Sequence, residues 1–266
     1  MNHDQIVKIR LSGVEKCFQS SRGEEQVALS ELDLDIRSGE FVCLVGPSGC
    51  GKTTLVNLIA GFETPSKGHV LIDGNPVNAP DSDHIMIFQD YGLYPWRTVL
   101  GNVLFGLQAR GIPAAEAREK ALAALDLVGL QQARDKHPHE LSGGMKQRVS
   151  IARALAVGPS VLFMDEPFAA LDAFTRLHLQ DELLRIWQEK QPTIVFVTHD
   201  LDEAITLGQK IILMAPNPGR IQRVLDVKLG YPRERTDSSF AVLRKELFEE
   251  FHLVHRKANA EVEYEI

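Results

Sequence analysis

The chain has 266 residues, of which 44% are hydrophobic and 24% charged, with a formal net charge of −7. This is the composition of a soluble globular protein with a sizeable core, and its acidity argues against nonspecific nucleic-acid binding, which needs a basic face. No apolar run approaches the ~20 residues that span a bilayer. The first residues also lack the apolar stretch of a secretory signal. We therefore expect a cytosolic chain that would need a partner for any membrane role.

The N-terminal part of the chain alternates short strand-like runs with turns. The run FVCLV at 41–45 is apolar throughout, as in a strand buried on both faces. A glycine-rich loop follows, and residues 53–61 predict a helix that ends at Gly61. The strands predicted in this part lie at 6–14, 27–36, 41–45, 69–73 and 85–88.

From about Thr98 to Ala156 the pattern becomes helical. Farther on, Leu179, Leu183 and Ile186 share one face of a predicted helix. The alternation of buried strands and helices predicts an α/β fold with a mostly parallel sheet covered by helices. The later predicted elements are a helix at 113–128 that starts with a proline, strands at 161–165 and 193–197, a helix at 175–190, and after Gly230 a polar link with a short charged helix at about 238–251.

Residues 46–53 match the phosphate-loop pattern G-x-x-x-x-G-K-[ST]. The glycines let backbone N–H groups curl around phosphates, and the following helix adds its N-terminal field. Lys52 would supply a point charge to the β- and γ-phosphates, and Thr53 can ligate Mg²⁺. The apolar strand before the loop and the helix after it argue against a chance match. The predicted nucleotide-binding residues of the loop are Gly46, Pro47, Ser48, Gly49, Cys50, Gly51, Lys52, Thr53 and Thr54.

An acidic pair, Asp165 and Glu166, follows the apolar run VLFM. A buried strand would deliver the pair to the carboxyl edge of the sheet, where open α/β sheets bind ligands. We expect Asp165 to hold Mg²⁺ through water and Glu166 to accept a proton from the attacking water. Alone, such a pair would be a turn or a helix cap. Downstream of a phosphate loop it favours hydrolysis, and it distinguishes the chain from a small-molecule kinase, which must exclude water.

A second glycine-containing stretch, LSGGM at 141–145, also leads into a helical pattern. Ser142 is a good N-cap residue, so one interpretation is a helix cap with flexible glycines. A cap that is free to meet an anion is also an anion-binding site. Both interpretations can hold at once.

Together these motifs resemble those of the ATP-binding cassette (ABC) ATPases. The phosphate loop, Gln89, LSGGM, VLFMDEP, ALD at 170–172 and His199 occur in the order seen in that family. The resemblance covers about residues 6–227. It implies a phosphate-loop NTPase core with a mostly parallel sheet, an N-terminal antiparallel β subdomain and an inserted helical subdomain at about 90–156. It further implies an ATPase domain over 6–230 and a C-terminal tail with a short helix over 231–266.

The resemblance also implies roles for single residues, with ATP and Mg²⁺ as cofactors. Gln89 would touch Mg²⁺ or the attacking water, His199 the γ-phosphate, and Asp172 the subunit interface. Phe18 matches the position of the aromatic residue that stacks on adenine, although it offers no hydroxyl. Without the resemblance to the family, Gln89 would be interpreted as an ordinary surface residue, His199 as a satisfied hydrogen-bonding residue and Phe18 as a core residue.

In this family, two subunits sandwich the nucleotide head to tail. The resemblance therefore implies that Ser142, Gly143 and Gly144 complete the ATP site of a second ABC ATPase subunit, as in a homodimer. Met145 stands where the commonest family form has glutamine. Because the glycines and the start of the helix are kept, we expect activity to survive this difference.

The stretch that follows Gln89 is rich in aromatic residues, including Tyr91, Tyr94 and Trp96. Such a loop is costly to leave in water unless it meets a partner. By resemblance, this region forms the groove that receives a cytoplasmic helix of an integral-membrane permease. The alternative is that the aromatic side chains pack within the helical segment, and we expect some of them to do so.

The stretches DEPFAALDAFTR and MAPNPGRI and the tail from Tyr231 are similar to those of bacterial importers for nitrate, sulfonates, taurine and similar small molecules. That similarity implies a peripheral subunit at the cytoplasmic face of the bacterial inner membrane. It would work with a permease and, indirectly, with an extracytoplasmic solute-binding protein, and no nucleic-acid partner is expected.

Three other classes of function fit the sequence less well. A soluble ABC ATPase that acts on DNA or ribosomes would carry a coiled-coil insertion, zinc cysteines or a second cassette, and none is seen. If the chain were a phosphate-loop kinase, LSGGM and His199 would have no function. A structural role would leave the hydrolytic set unexplained.

The three cysteines, Cys17, Cys43 and Cys50, are scattered without metal-site spacing. They predict reduced cytosolic thiols, and neither a disulfide framework nor a zinc site. Cys50 lies inside the phosphate loop, and a helix N-terminus lowers the pKa of a thiol. One hypothesis is therefore that alkylation or oxidation of Cys50 affects ATP binding. The alternative is that a small residue simply fits there.

Overall fold

The apolar runs at 41–45, 161–165 and 193–197 are buried strands in the computed structural model, whereas the run at 85–88 is a strand that is mostly half-buried. The structure describes residues 6–19, 23 and 25–263, with side chains as far as residue 252. The described residues form two compact units. One contains the chain up to residue 81 and from 193 onward, and the other contains residues 82–192.

The elements have the following bounds. The strands are β1 (Val7–Gln19), β2 (Glu25–Arg37), β3 (Phe41–Val45), β4 (Lys67–Ile72), β5 (Asn75–Pro76), β6 (His84–Ile87), β7 (Val161–Asp165), β8 (Thr193–Thr198), β9 (Lys210–Ala215) and β10 (Arg220–Asp226). The α-helices are α1 (Lys52–Ala60), α2 (Val99–Ala109), α3 (Ala114–Leu127), α4 (Gly143–Val157), α5 (Ala173–Lys190), α6 (Leu201–Leu207) and α7 (Ser238–Glu263). Short 3-10 turns at Gln131–Ala133 and Pro138–Glu140 lie between α3 and α4.

The first unit begins with an antiparallel sheet of order β2-β1-β4-β5. The burial pattern of β2 is typical of an antiparallel sheet that has one face on the core and one face in water. Leu32, Leu34 and Ile36 are buried, and the acidic residues between them are exposed. Alternation of this kind is typical of a sheet with one face on the core and one in water. The predicted N-terminal antiparallel subdomain is thus confirmed.

The first unit also contains strands in the order β10-β9-β3-β8. Strand β3 runs parallel to both β8 and β9, and β10 is antiparallel to β9. Every residue of β3, β8 and β9 is buried, as the continuous apolar runs require when both faces of a sheet are covered. The ends of β3 and β8 are in register, which fixes the residues that follow them at one edge.

The second unit consists of helices around a parallel pair of strands. Helix α4 packs against α2 and α3, and β6 lies parallel to β7. Leu179, Leu183 and Trp187 of α5 are buried. Ile186, predicted on the same helical face as Leu179 and Leu183, is half-buried, and the indole of Trp187 takes the next fully buried position. The predicted helical segment at 90–156 falls within this unit, and the predicted domain boundaries stay predictions.

Several elements differ from the sequence predictions. Helix α6 and strands β9 and β10 were missed, since α6 has only seven residues and β9 follows it after a short turn. The C-terminal helix was predicted as short, at about 238–251, and this was wrong. It continues through 26 residues to Glu263, because no glycine or proline interrupts it. No helix in the described part of the chain is long and apolar enough to cross a membrane.

The segment that leads to α7 is attached to α6 by a buried arginine. Arg233 is 8% exposed, and its guanidinium donates to the carbonyls of Ile205 at 2.5 Å and Gly208 at 2.6 Å. It also donates to the carbonyl of Leu229 at 3.1 Å and lies 4.1 Å from the centre of the Tyr231 ring. The carbonyls at the end of a helix lack intrahelical partners, so the guanidinium satisfies groups that burial would otherwise leave unpaired.

We predict that Arg233→Ala lowers the free energy of unfolding by about 2–4 kcal/mol, since a hydrogen bond to a charged group contributes about 1.5–3 kcal/mol. Urea denaturation followed by circular dichroism measures this change. Lys245→Ala on the exposed side of α7 is the control, and its expected effect is below about 0.5 kcal/mol. Equal effects of the two substitutions would contradict the anchoring role of Arg233.

Candidate nucleotide-binding site

The phosphate loop connects β3 to α1 and closes around its own lysine. Lys52 is the first residue of α1 and is 8% exposed. Its ammonium group donates to the carbonyls of Gly46 at 2.8 Å and Pro47 at 2.9 Å. The positive charge therefore sits inside the turn, next to the N-terminus of α1, and both features favour an anion there.

Two glycines are required by the packing of this loop. A Cβ on Gly46 would lie 2.7 Å from the carbonyl oxygen of Met214 and 2.6 Å from the sulfur of Cys50. Gly51 has φ +90°, a left-handed conformation, and a Cβ there would collide with the side chain of Leu29. The glycines of the motif are thus needed for close backbone approach as well as for binding phosphate.

His199 leaves the sheet at the same edge as the phosphate loop. Val45 of β3 pairs with Thr198 of β8, so Gly46 and His199 are the next residues along two parallel, adjacent strands. His199 is exposed. The structure thereby brings together the predicted phosphate-binding loop and the histidine predicted to touch the γ-phosphate.

The backbone on both sides of His199 is held by a buried acid that sequence reasoning missed. The Thr198 hydroxyl donates to the Glu203 carboxylate at 2.6 Å and accepts from the N–H of Asp200 at 3.0 Å. Asp200 caps α6 by accepting from the N–H groups of Asp202 and Glu203. The signal that could have revealed this arrangement is the stretch THDLDEA, with a hydroxyl residue before the histidine and an acid one helical turn after it.

The second unit brings Gln89 to the same edge as the acidic pair. Ile87 of β6 pairs with Met164 of β7 in parallel, so Gln89 and Glu166 each lie two residues past a paired position. Asp165 is 5% exposed, and Gln89 is exposed in a turn. Glu166 has φ +47°, which is strained for a residue with a side chain, and strain of this kind concentrates at functional sites.

Ser142 is the N-cap of α4 and accepts from the N–H of Met145 at 3.3 Å. The predicted cap is therefore confirmed. Ser142 and Gly143 are exposed, and Gly144 is half-buried, with room for a Cβ limited by the carbonyl of Ala170 at 3.1 Å. The start of a 15-residue helix is thus open to an anion.

The remaining predicted site residues lie near the surface. Phe18 is 40% exposed on β1, with the ammonium group of Lys16 4.8 Å from the ring centre, so it is not a core residue. Its stacking on adenine stays a prediction. Asp172 is exposed and caps α5 by accepting from the N–H of Thr175 at 3.0 Å. This hydrogen bond holds the pKa of the Asp172 carboxyl below its ordinary value.

The structure argues against an activated thiol at Cys50, and an effect of its alkylation on ATP binding stays a hypothesis. Cys50 is completely buried, and burial raises the pKa of its thiol above the ordinary value, although the charge of Lys52 acts in the opposite direction. Desolvation outweighs the field of the helix N-terminus because a thiolate loses its hydration inside the loop. All three cysteines are free in the structure, and Cys17 is the half-exposed one.

The strand–loop–helix turn, the buried lysine and the acidic pair at the end of a strand define a phosphate-loop ATPase. The family model described as ABC transporter matches residues 29–169. The chain therefore belongs to the ABC transporter family. It is the ATP-binding subunit of such a transporter, and its reaction is the hydrolysis of ATP.

Known relatives cover nearly the whole chain. An uncharacterized ABC transporter ATP-binding protein of Methanocaldococcus jannaschii is 47% identical over 91% of this chain and 90% of the relative. A nitrate import ATP-binding protein of Synechococcus elongatus is 45% identical over 88% of this chain and 87% of the relative. An aliphatic sulfonates import ATP-binding protein of Bacillus cereus is 42% identical over 91% of this chain and 95% of the relative.

Solved structures show the same fold. A dimeric bacterial ABC transporter cassette matches with a TM-score of 0.77 and 34% identity over 84% of this chain and all of that chain. A dimeric post-hydrolysis state bound to ADP and phosphate matches with a TM-score of 0.76 and 33% identity, again over 84% of this chain and all of that one. The predicted ABC ATPase fold is thereby confirmed.

We predict that Gly46→Ala weakens ATP binding. The new Cβ forces apart the loop and β9, and overpacking typically costs about 1–3 kcal/mol. We therefore expect the Kd for Mg-ATP, measured by calorimetry, to rise by about tenfold to a hundredfold. Gly230→Ala is the control, because a Cβ at Gly230 meets nothing within 4 Å. Unchanged affinity in Gly46→Ala would show that the loop relaxes freely.

We predict that iodoacetamide modifies native Cys17 before Cys43 and Cys50. Burial raises the pKa of each thiol above its ordinary value, so the reactive thiolate is a minor form near neutral pH and its share grows as the pH rises. Labelling should accelerate with pH, and denaturant should make all three cysteines react alike. Mass spectrometry of peptides sampled over time gives the order. Fast labelling of Cys50 at pH 7 would restore the hypothesis of an activated thiol.

Proposed function

We propose that the chain energises a bacterial importer of a small solute such as nitrate, a sulfonate or taurine. The observation that carries the proposal is that one chain contains two different segments suited to bind phosphate. Lys52 is buried in its own loop, while Ser142 and Gly143 are exposed at the start of α4. The nitrate and aliphatic sulfonates import proteins among the relatives support the choice of solute class.

The phosphate loop would bind the β- and γ-phosphates of ATP through its backbone N–H groups and Lys52. Phe18 would stack on the adenine, since its ring is exposed on the sheet. In the described part of the chain, no group of three or more His, Cys, Asp or Glu residues could hold a metal ion. A bound Mg²⁺ would share its coordination with the phosphates of the nucleotide, which is its usual mode of binding.

The residues available for Mg²⁺ fit that ion. Thr53, Gln89 and Asp165 offer hydroxyl, amide and carboxylate oxygens, the donors that Mg²⁺ prefers, and Asp165 is a buried carboxylate at the end of a strand. When bound, the ion would neutralise phosphate charge. Glu166 would accept the proton of the attacking water, Gln89 would orient that water, and His199 would contact the γ-phosphate. The held backbone of Thr198 and Asp200 would keep His199 in place.

Ser142, Gly143 and Gly144 would complete the ATP site of a second copy of the chain. Two copies arranged head to tail would then enclose two ATP molecules. The exposed helix start of α4 supports this arrangement, as does the similarity to dimeric cassettes. Asp172 would lie at the interface between the copies, and closure and reopening of the pair would move the transport partner.

That partner would be an integral-membrane permease, contacted through the aromatic loop after Gln89. Trp96 in this loop is 72% exposed, and such a ring is costly to leave in water. The chain would lie at the cytoplasmic face of the bacterial inner membrane, and an extracytoplasmic solute-binding protein would act indirectly through the permease. No role for nucleic acid is proposed.

We predict that Glu166→Gln lowers the rate of ATP hydrolysis by about 100-fold or more, because it removes a general base. With Mg-ATP, light scattering should show that Glu166→Gln doubles in mass. The further substitution Ser142→Arg should abolish this dimer, while Gln132→Arg, an equal added charge on an exposed turn, should leave it intact. A dimer that survives Ser142→Arg would refute the head-to-tail role of LSGGM.

A further inference from the structure

The aromatic loop, defined here as residues 90–97, is joined to helix α4 by one arginine. Arg153 donates to the carbonyl of Gly92 at 2.7 Å and to that of Tyr91 at 3.2 Å. Its guanidinium also lies 5.9 Å from the centre of the Tyr94 ring. The guanidinium group is planar and donates to two successive carbonyls while it faces a ring. It therefore fixes the loop more firmly than a single contact would.

The same loop meets α4 at a second point. A Cβ on Gly143 would lie only 3.0 Å from the hydroxyl of Tyr91, so the tyrosine tip rests on the first residue of the helix. Gly143 and Arg153 are ten positions apart on α4, or about 15 Å at 1.5 Å per residue. The loop is therefore in contact with both the phosphate-binding start of the helix and its middle.

The backbone of the loop depends on these contacts. Tyr91 has φ +52° and Gly92 has φ +55°, so two successive residues are left-handed, which a tyrosine does not adopt without support. Farther along, the buried side chain of Asn102 accepts from the N–H of Tyr94 at 2.8 Å and donates to its carbonyl at 3.2 Å. The loop is thus held in one shape, with Trp96 exposed on it.

We propose that Arg153 and Tyr91 are positioning residues that couple the aromatic loop to Ser142–Gly144. Because a helix is stiff, force applied to the loop would move the start of α4. Engagement of that start by the nucleotide of a second copy would likewise shift the loop, since coupling between two sites is reciprocal. The inference deepens the proposed function and rests on it. It names the physical link between the transport partner's contact surface and the opposite ATP site.

Trp96 can report on this link. The chain has two tryptophans, Trp96 and Trp187, so Trp187→Phe leaves Trp96 as the only emitter. In a Glu166→Gln, Trp187→Phe protein, we expect Mg-ATP to shift the Trp96 emission as the dimer forms. Ser142→Arg should abolish both the dimer and the shift. Arg153→Met should abolish the shift and keep the dimer.

Arg148 provides the matched control. It lies on the same helix, but its guanidinium donates to the carbonyl of Val128 at 3.0 Å, at the end of α3, and not to the aromatic loop. Arg148→Met should therefore keep both the dimer and the Trp96 shift. Tyr91→Phe, which removes only the hydroxyl next to Gly143, should reduce the shift by more than half. A full shift in Arg153→Met would overturn the proposal.

Hydrogen–deuterium exchange of the Trp187→Phe protein without nucleotide tests the link independently of dimer formation. Arg153→Met should speed exchange in peptides from both 88–97 and 141–147, and Arg148→Met should leave the first unchanged. Faster exchange in 88–97 alone would overturn the coupling. If Glu166→Gln never dimerises with Mg-ATP while the exchange result holds, the head-to-tail proposal fails and the link between loop and helix stands.

Discussion

The closed turn from β3 to α1 is the constraint on which the nucleotide site depends. Lys52 bonds to the carbonyls of Gly46 and Pro47, which places a buried positive charge at the N-terminus of a helix. This closure is possible only because two glycines let backbone and side chains approach closely. The buried strands on either side keep the turn fixed, since β3 lies between β8 and β9 with every residue covered. The same loop buries the side chain of Cys50 completely.

The register of the parallel strands positions the other predicted site residues. Val45 beside Thr198 places His199 next to the start of the phosphate loop, and Ile87 beside Met164 places Gln89 next to the acidic pair. In each case two residues far apart in sequence become neighbours because parallel strands end at one edge. Buried hydrogen bonds then hold the backbone beside the predicted site residues, as between Thr198 and Glu203 next to His199. The backbone of Glu166, the predicted general base, is strained at φ +47°, and strain of this kind concentrates at functional sites.

Helix α4 joins the two surfaces to which the proposed function assigns the nucleotide of a second copy and the transport partner. Its first residues are open to an anion, and its middle holds the aromatic loop through Arg153. Neither the capping serine nor the aromatic loop would by itself indicate coupling between the nucleotide and the partner. Their attachment to one stiff element gives a physical reason why nucleotide engagement and partner contact would be felt together.

The sequence by itself determined the buried strands, the phosphate loop, the acidic pair and the capped helix at LSGGM, because these depend on local patterns of apolar residues, glycines and caps. It missed α6, β9 and β10, and it shortened α7, since short elements and helix ends depend on tertiary packing. Only the tertiary structure decided the state of Cys50, the buried support of Thr198 by Glu203, and the link from Arg153 to the aromatic loop. All three features depend on burial or on contacts between residues distant in sequence, and no local sequence pattern specifies these.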